Sequence, residues 1–182
     1  MIVGYRRPMS RLHVVLVAPE IAPNTGNIIR LCANAGAELH LVEPLGFSLD
    51  DRSLKRAGLD YHELASLHVH ANFAEATTSL SDRRLFTFGS GHRRPYTNVS
   101  FAHGDALVFG AERHGLSSDV AEAVPETQQL TIPMEPGNRS LNLANAVSVV
   151  VYEAWRQMGF TGADPGTGAS TSETPRADPF DH

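Results

Sequence analysis

The chain has 182 residues, 42% of them hydrophobic, which is the length of one domain and enough apolar material to bury a core. A single cysteine, Cys32, excludes an intramolecular disulfide framework and a thiolate metal cluster and fits a reducing compartment. The formal charge of −5 excludes a generally basic nucleic-acid binder, although from Thr161 onward four acidic residues face only Arg176, a net −3 that leaves −2 for the rest.

The first residues carry Arg6 and Arg7 without an apolar run of signal-peptide form, and no segment approaches transmembrane length, so a cytoplasmic protein is expected. Residues 1–11 read as an N-terminal extension, in which Met9 offers a second start. Residues 12–160 read as one domain. Residues 161–182, made of Gly, Ala, Thr, Ser, Pro and Asp, read as a disordered acidic tail.

Leu12 to Val17 is a short β-branched run that predicts a buried strand. In the following EIAPNTGNIIRLCANAG, Pro23 and Asn24 mark a helix start and Gly36 its end. Ile28, Leu31, Cys32 and Ala35 share one apolar face, with Cys32 a small buried hydrophobe. Asn24, Asn27 and Arg30 are left near the N-terminal end, at the carboxyl end of a strand, where open α/β sheets bind ligands. Glu38 to Val42 predicts a second strand, and Asp50 or Asp51 caps a helix whose Arg52, Lys55 and Arg56 share a face. Leu67 to His70 predicts a third strand and Phe73 to Leu80 a helix started by Asn72.

His62, His68 and His70 have no metal-ligand spacing, and alternation along a strand accounts for the last two; no metal is expected. Leu85 to Phe88 and Ala106 to Phe109 are further strands. Between them, GSGHRRPYTNVS is too rich in Gly, Pro and Ser to form an element. Thr131-Ile132 closes the series. Strands alternating with amphipathic helices predict an α/β domain with a mostly parallel sheet flanked by helices.

Three strand ends carry glycine-bearing or polar loops: Phe88-Gly89, Phe109-Gly110-Ala111-Glu112, and Ile132 to Ser140. Such loops suit close approach of a flat or bulky ligand, read by exposed peptide groups. The last one, with Gly137, Asn138, Arg139, Ser140 and Asn142, runs straight into an apolar helix, and the N–H groups at that junction suit an oxygen-rich ligand. The dinucleotide fingerprint GxGxxG and the phosphate loop GxxxxGK[ST] are absent, as are a nucleophile elbow and a glycosidase carboxylate pair. Basic residues bunch at Arg52/Lys55/Arg56, Arg83/Arg84 and Arg93/Arg94; local patches of this kind can hold phosphates despite a negative net charge.

The segments NTGNIIRLCANAG, RAGLDYHE, FGAERHGL and IPMEPGNRSLNLANAVSVVVYEAWRQ together resemble the SPOUT family of RNA methyltransferases, most closely those that methylate the ribose 2′-hydroxyl of the wobble nucleotide in leucine tRNAs. The resemblance spans about Leu12 to Gly159. It implies an α/β fold with a deep C-terminal trefoil knot, S-adenosyl-L-methionine as methyl donor, tRNA as substrate and a homodimer with a shared active site. By motif position it implies cofactor contacts at Phe88, Gly110, Ile132 and Ser140, with Leu141 and Asn145 beside them and Glu112 and Asn142 in the same motifs. Arg30, with Asn27 one turn before it, matches the catalytic arginine; Arg139 and Tyr152 are candidates for orienting the nucleotide. The lack of a separate RNA-binding domain points to Arg52, Lys55, Arg56, Arg93 and Arg94 as the RNA grip. Two positions depart from the family pattern: Ser117 follows Leu116 where proline is usual, and Ala144 stands where serine is frequent. The competing readings are action on another tRNA position or on ribosomal RNA, and a catalytically silent RNA-binding homologue.

Overall fold

The computed structural model describes residues 11–49 and 66–163. The basic helix read around Arg52, Lys55 and Arg56, the RAGLDYHE segment, His62, residues 1–10 and the tail from 164 onward lie outside them.

In chain order the elements are β1 (His13–Val17), α1 (Ala22–Ala35), β2 (Glu38–Val42), β3 (Leu67–His70), α2 (Phe73–Ser79), β4 (Leu85–Phe88), β5 (Arg94–Pro95), β6 (Ala106–Phe109), α3 (Ser118–Glu122), β7 (Gln129–Thr131) and α4 (Leu143–Gln157). Among the described residues, seven strands form one sheet in the order β3-β2-β1-β6-β4-β7-β5, and their pairings are all parallel. This is the predicted class, with one correction. The stretch from Gly89 to Ser100 contains β5 and a 3-10 turn, Tyr96–Asn98. Arg94 stabilises that turn by donating to the carbonyls of Thr127 and Asn98, a tertiary effect that local composition does not encode.

The register explains the layers. Val14 lies beside Leu39 and Leu107, and Leu107 beside Phe86; one pair further on, Leu16 lies beside Leu41 and Phe109, and Phe109 beside Phe88. Because strand side chains alternate, this ladder forms a single apolar face. Ile28, Ile29 and Cys32 of α1 and Leu143, Val147, Val150, Val151 and Ala154 of α4 pack with it in one buried cluster. Val15, Ala106 and Val108 face the other way, toward Ala76 and Leu80 at α2 and Val120 of α3. Burial pushes the Cys32 thiol up to about 12, so it behaves as the expected small hydrophobe. Among the described residues, no helix is long and apolar enough to cross a membrane.

Chain order reverses between β1 and β6: β2 and β3 build outward on one side, while β6, β4, β7 and β5 lie on the other. In a parallel sheet all carboxyl ends point the same way, and the crevice where the order switches is where such sheets bind ligands. The loops after β1 and β6 flank that crevice.

Candidate active site

The first feature at the switch point is how α1 begins. Its N-cap is Ile21, which has no side-chain oxygen to give, and its first turn has no acidic residue. A helix start ordinarily needs an acceptor for its orphan N–H groups and favours negative charge. Glu112, in the loop after β6, supplies the negative charge from about ninety residues away and holds the two residues that lead into the helix, Glu20 and the N-cap Ile21. Its carboxylate accepts from the N–H groups of Glu20 at 2.7 Å and Ile21 at 3.3 Å, and from Asn24 Nδ2 at 2.9 Å. Glu20 returns the contact by accepting from the Arg113 N–H at 3.1 Å.

Asn24 is only 6% exposed and extends the chain of hydrogen bonds. Its Oδ1 accepts from Asn142 Nδ2 at 2.9 Å. Asn142 in turn caps α4, its Oδ1 accepting from the N–H of Ala144 at 2.9 Å and of Asn145 at 3.4 Å. One polar line, Glu112–Asn24–Asn142, therefore fixes the loop after β6, the start of α1 and the start of α4 relative to one another. These residues come from three of the sequence segments singled out above.

The loop after β6 also needs Gly110 for its own closure. Ala111 and Gly115 exchange two backbone hydrogen bonds of 3.1 and 2.8 Å, which folds the loop back on its strand. A Cβ on Gly110 would lie 2.1 Å from the Gly115 carbonyl carbon and 2.3 Å from the Leu116 nitrogen, so only glycine fits. Gly115 itself sits at φ +67. The departure at Ser117 leaves the backbone at φ −65, the value proline would impose, so the turn keeps its shape without the ring. Ala144 is buried, its methyl group in the α4 core.

Phe88 and Phe109, at the ends of neighbouring strands, stack with ring centroids 4.7 Å apart and planes 10° apart. Ile132 packs half-buried against the same cluster. Ser140, Leu141 and Asn145 are exposed, as is Arg139, in the loop that turns through Gly137 at φ +83. Asn27 and Arg30 lie on the exposed side of α1, and α1 packs along α4. Tyr152 is 44% exposed on α4 and meets Trp155 edge-on at 5.6 Å. Phe88 and Phe109 are buried and Ile132 half-buried in the apolar cluster, while residues 137–142 are exposed and carry peptide and hydroxyl donors; apolar contacts and polar donors are together the chemistry that an adenosine bearing an amino-acid chain requires, so the residue types present fit S-adenosylmethionine.

The basic clusters divide. Arg84 forms a two-pronged ion pair with buried Asp105, at 2.8 and 2.6 Å, and also lies over the Phe86 ring. Arg94 holds the β5 turn, whereas Arg93 is exposed. Sequence reading found the residues of the polar line but not their connection, because hydrogen bonds across 88 and 118 positions leave no local signal. A further feature it missed is Ala18, at φ 51, which turns the chain out of β1 into the crevice in a conformation uncommon for a residue with a side chain.

Comparison with known proteins agrees with this geometry. The model of the SpoU rRNA methylase family matches residues 11–152. A Burkholderia ambifaria protein named tRNA (cytidine(34)-2′-O)-methyltransferase is 55% identical over 152 residues, 82% of this chain and 97% of its own length. A solved structure described by the 2-OH methylation of C/U34 on tRNA is 43% identical, with a TM-score of 0.76 over 83% of this chain and 98% of its own. The SpoU methyltransferase of Streptomyces viridochromogenes, solved in complex with AdoMet, shares the fold at 24% identity and a TM-score of 0.72, over 87% of this chain and 61% of its own. The match across both the sheet and the three linked loops means that the chain belongs to the SpoU methylase family.

Proposed function

We propose that this protein transfers a methyl group from S-adenosyl-L-methionine to the ribose 2′-hydroxyl of the wobble nucleotide, cytidine or modified uridine, of leucine tRNAs. The observation that carries the reading is the Glu112–Asn24–Asn142 line, which holds three loops of the switch-point crevice in one arrangement beside Asn27 and Arg30. The Burkholderia relative, named for cytidine 34, supports the choice of nucleotide.

Phe88, Gly110, Ile132, Ser140, Leu141 and Asn145 would hold the cofactor, which supplies an electrophilic methyl group on a sulfonium. Glu112 acts at one remove, by fixing the loop that carries Gly110 and the helix that carries Arg30. A ribose hydroxyl is a poor nucleophile, so the protein must hold it in line and assist loss of its proton. Arg30 does this as a cation: a guanidinium stays protonated in proteins, so it grips a phosphate and polarises the hydroxyl while a phosphate oxygen or water takes the proton. Arg139 and Tyr152 orient the nucleotide. The exposed Val149 and Tyr152 on α4, with Leu141 before it, form the homodimer face that completes the site. A C-terminal trefoil knot and a cytoplasmic location complete the reading.

The test is incubation of the protein with labelled S-adenosylmethionine and total tRNA, followed by mapping of the methylated nucleotide. Label at the wobble ribose of leucine tRNAs is the expected result. Label only at another tRNA position, or none in any tRNA, would reject the proposal.

A further inference from the structure

A group of side chains for which methyl transfer has no use starts at the amino-terminal ends of β1 and β2 and runs through the middle of β2 onto β3. His13 is paired with Glu38 across β1 and β2, and His40 lies two residues further along β2 on the same face. His68, paired with His40, and His70 continue that face onto β3. The alternation expected for His68 and His70 is present, and its consequence is to bring four histidines and a glutamate together.

The distances are those of a ligand set. His13 Nδ1 lies 3.0 Å from His40 Nε2 and 3.9 Å from Glu38 Oε2, and the three ligand atoms all lie within 4.8 Å of one another. Tetrahedral zinc with bonds of about 2.0–2.1 Å to imidazole nitrogen requires ligand atoms roughly 3.3 Å apart, between these two values. We propose that His13 Nδ1, His40 Nε2 and Glu38 Oε2 bind one zinc ion, with water completing the tetrahedron.

Two features separate this from a chance cluster. Histidine ligands commonly use their second ring nitrogen to fix orientation and tautomer. His40 does so here, its Nδ1 lying 2.9 Å from His70 Nε2. Glu38 is likewise held, its ligating Oε2 lying 3.2 Å from His68 Nε2. Two of the three ligands therefore have an outer partner already in place. The second feature is access: His13 and His40 are buried, while the Glu38 and His68 side chains are 33% and 46% exposed, which leaves an entry path on one side. Coordination requires His13 to carry its proton on Nε2 and His40 on Nδ1. Only a tautomer change at His13 is then needed if its Nδ1 donates to His40, and no proton need be released. The ion would bind β1 to β2 as a staple, remote from the strand ends where the cofactor sits.

The test uses the full chain without an affinity tag, stripped with chelator and titrated with zinc by calorimetry, with cobalt as a spectroscopic probe. The expected result is one zinc per chain, a rise in melting temperature on loading, and the strong visible absorption of tetrahedral cobalt. Glu38→Gln and His13→Asn should each weaken zinc binding by at least about ten-fold, and His68→Ala, which removes only an outer partner, by about ten-fold. Glu38 and His68 reach the surface, so these variants keep the test open should His13→Asn fail to fold. Failure to bind zinc would overturn the proposal. So would a single site whose affinity is unchanged in both Glu38→Gln and His68→Ala, because the ion would then be held elsewhere.

Discussion

Replacing Glu112 by alanine tests whether a distant loop, and not the local sequence, starts α1. The substitution removes the acceptor of two backbone N–H groups, at 2.7 and 3.3 Å, and of the buried Asn24 amide at 2.9 Å. Hydrogen bonds to a charged group contribute about 1.5–3 kcal/mol each, the 3.3 Å contact less, and a negative charge at a helix start adds about 0.3–1 kcal/mol. Glu112 is partly exposed, so water replaces some of what is lost. The expected cost is about 2–4 kcal/mol, or roughly 5–15 °C in melting temperature for a domain of this size. Urea unfolding of wild type, Glu112→Ala, Glu112→Gln and Asn24→Ala measures it directly. Glutamine retains an acceptor but no charge and should fall between wild type and alanine. The Glu112/Asn24 double-mutant cycle should return a coupling of about 1 kcal/mol. A loss below about 0.5 kcal/mol for Glu112→Ala would refute the argument, because it would mean that α1 starts equally well without the tertiary cap.

Gly110→Ala places a methyl group against the backbone of Gly115 and Leu116, which cannot yield as a side chain would. A cost of about 1–3 kcal/mol or more is expected, together with weakened S-adenosylmethionine binding by calorimetry. Arg30→Lys should lower turnover with saturating tRNA by about 10²-fold, because a point charge does not reproduce the planar fork, and single-turnover kinetics would read it. Acid should unfold the protein partly through His40, whose pKa burial lowers from 6.5 to about 3, with the neighbouring His13, His68 and His70 charges adding to the effect. Below pH 6.5 the unfolded chain takes up a proton that the folded chain refuses, so stability present above that pH is lost as pH falls toward about 3. The slope for this one group is about 1.4 kcal/mol per pH unit, with His13 and His70 shifted in the same direction. Urea midpoints from pH 7 down to pH 5 in chelator-containing buffer should follow it, and His40→Leu should flatten the curve.

What the sequence revealed and what it withheld follow from the range of the interactions. Alternation and helical period are local, so β1, α1 and β2 could be read directly, as could the apolar character of α4 and the Asn72 cap, whose side chain accepts from Glu75 three residues on. Gly36 sits at φ 65 because a left-handed residue ends α1 where the sequence places glycine. The two-residue β5 could not be read, because it exists only through Arg94 and pairing to β7. Glu112 could be located by its motif, yet its partner is a helix start ninety residues earlier, and nothing local specifies that pairing. The histidine cluster was hidden in the same way: His13 and His40 stand 27 positions apart and meet only because β1 and β2 are adjacent in register. Arg94 looked like part of an RNA patch by its clustering, and its contacts to Thr127 and Asn98 add a structural task that the clustering did not reveal.

In the proposed reaction a single hydroxyl, the 2′-OH of the wobble ribose, receives the methyl group. The most direct measurement compares two leucine tRNA transcripts, identical except that one carries 2′-deoxycytidine at the wobble position, in the presence of labelled S-adenosylmethionine. Stoichiometric label in the ribose transcript and none in the deoxy transcript is the expected result. Equal labelling of both would place the methyl group on another atom and contradict it.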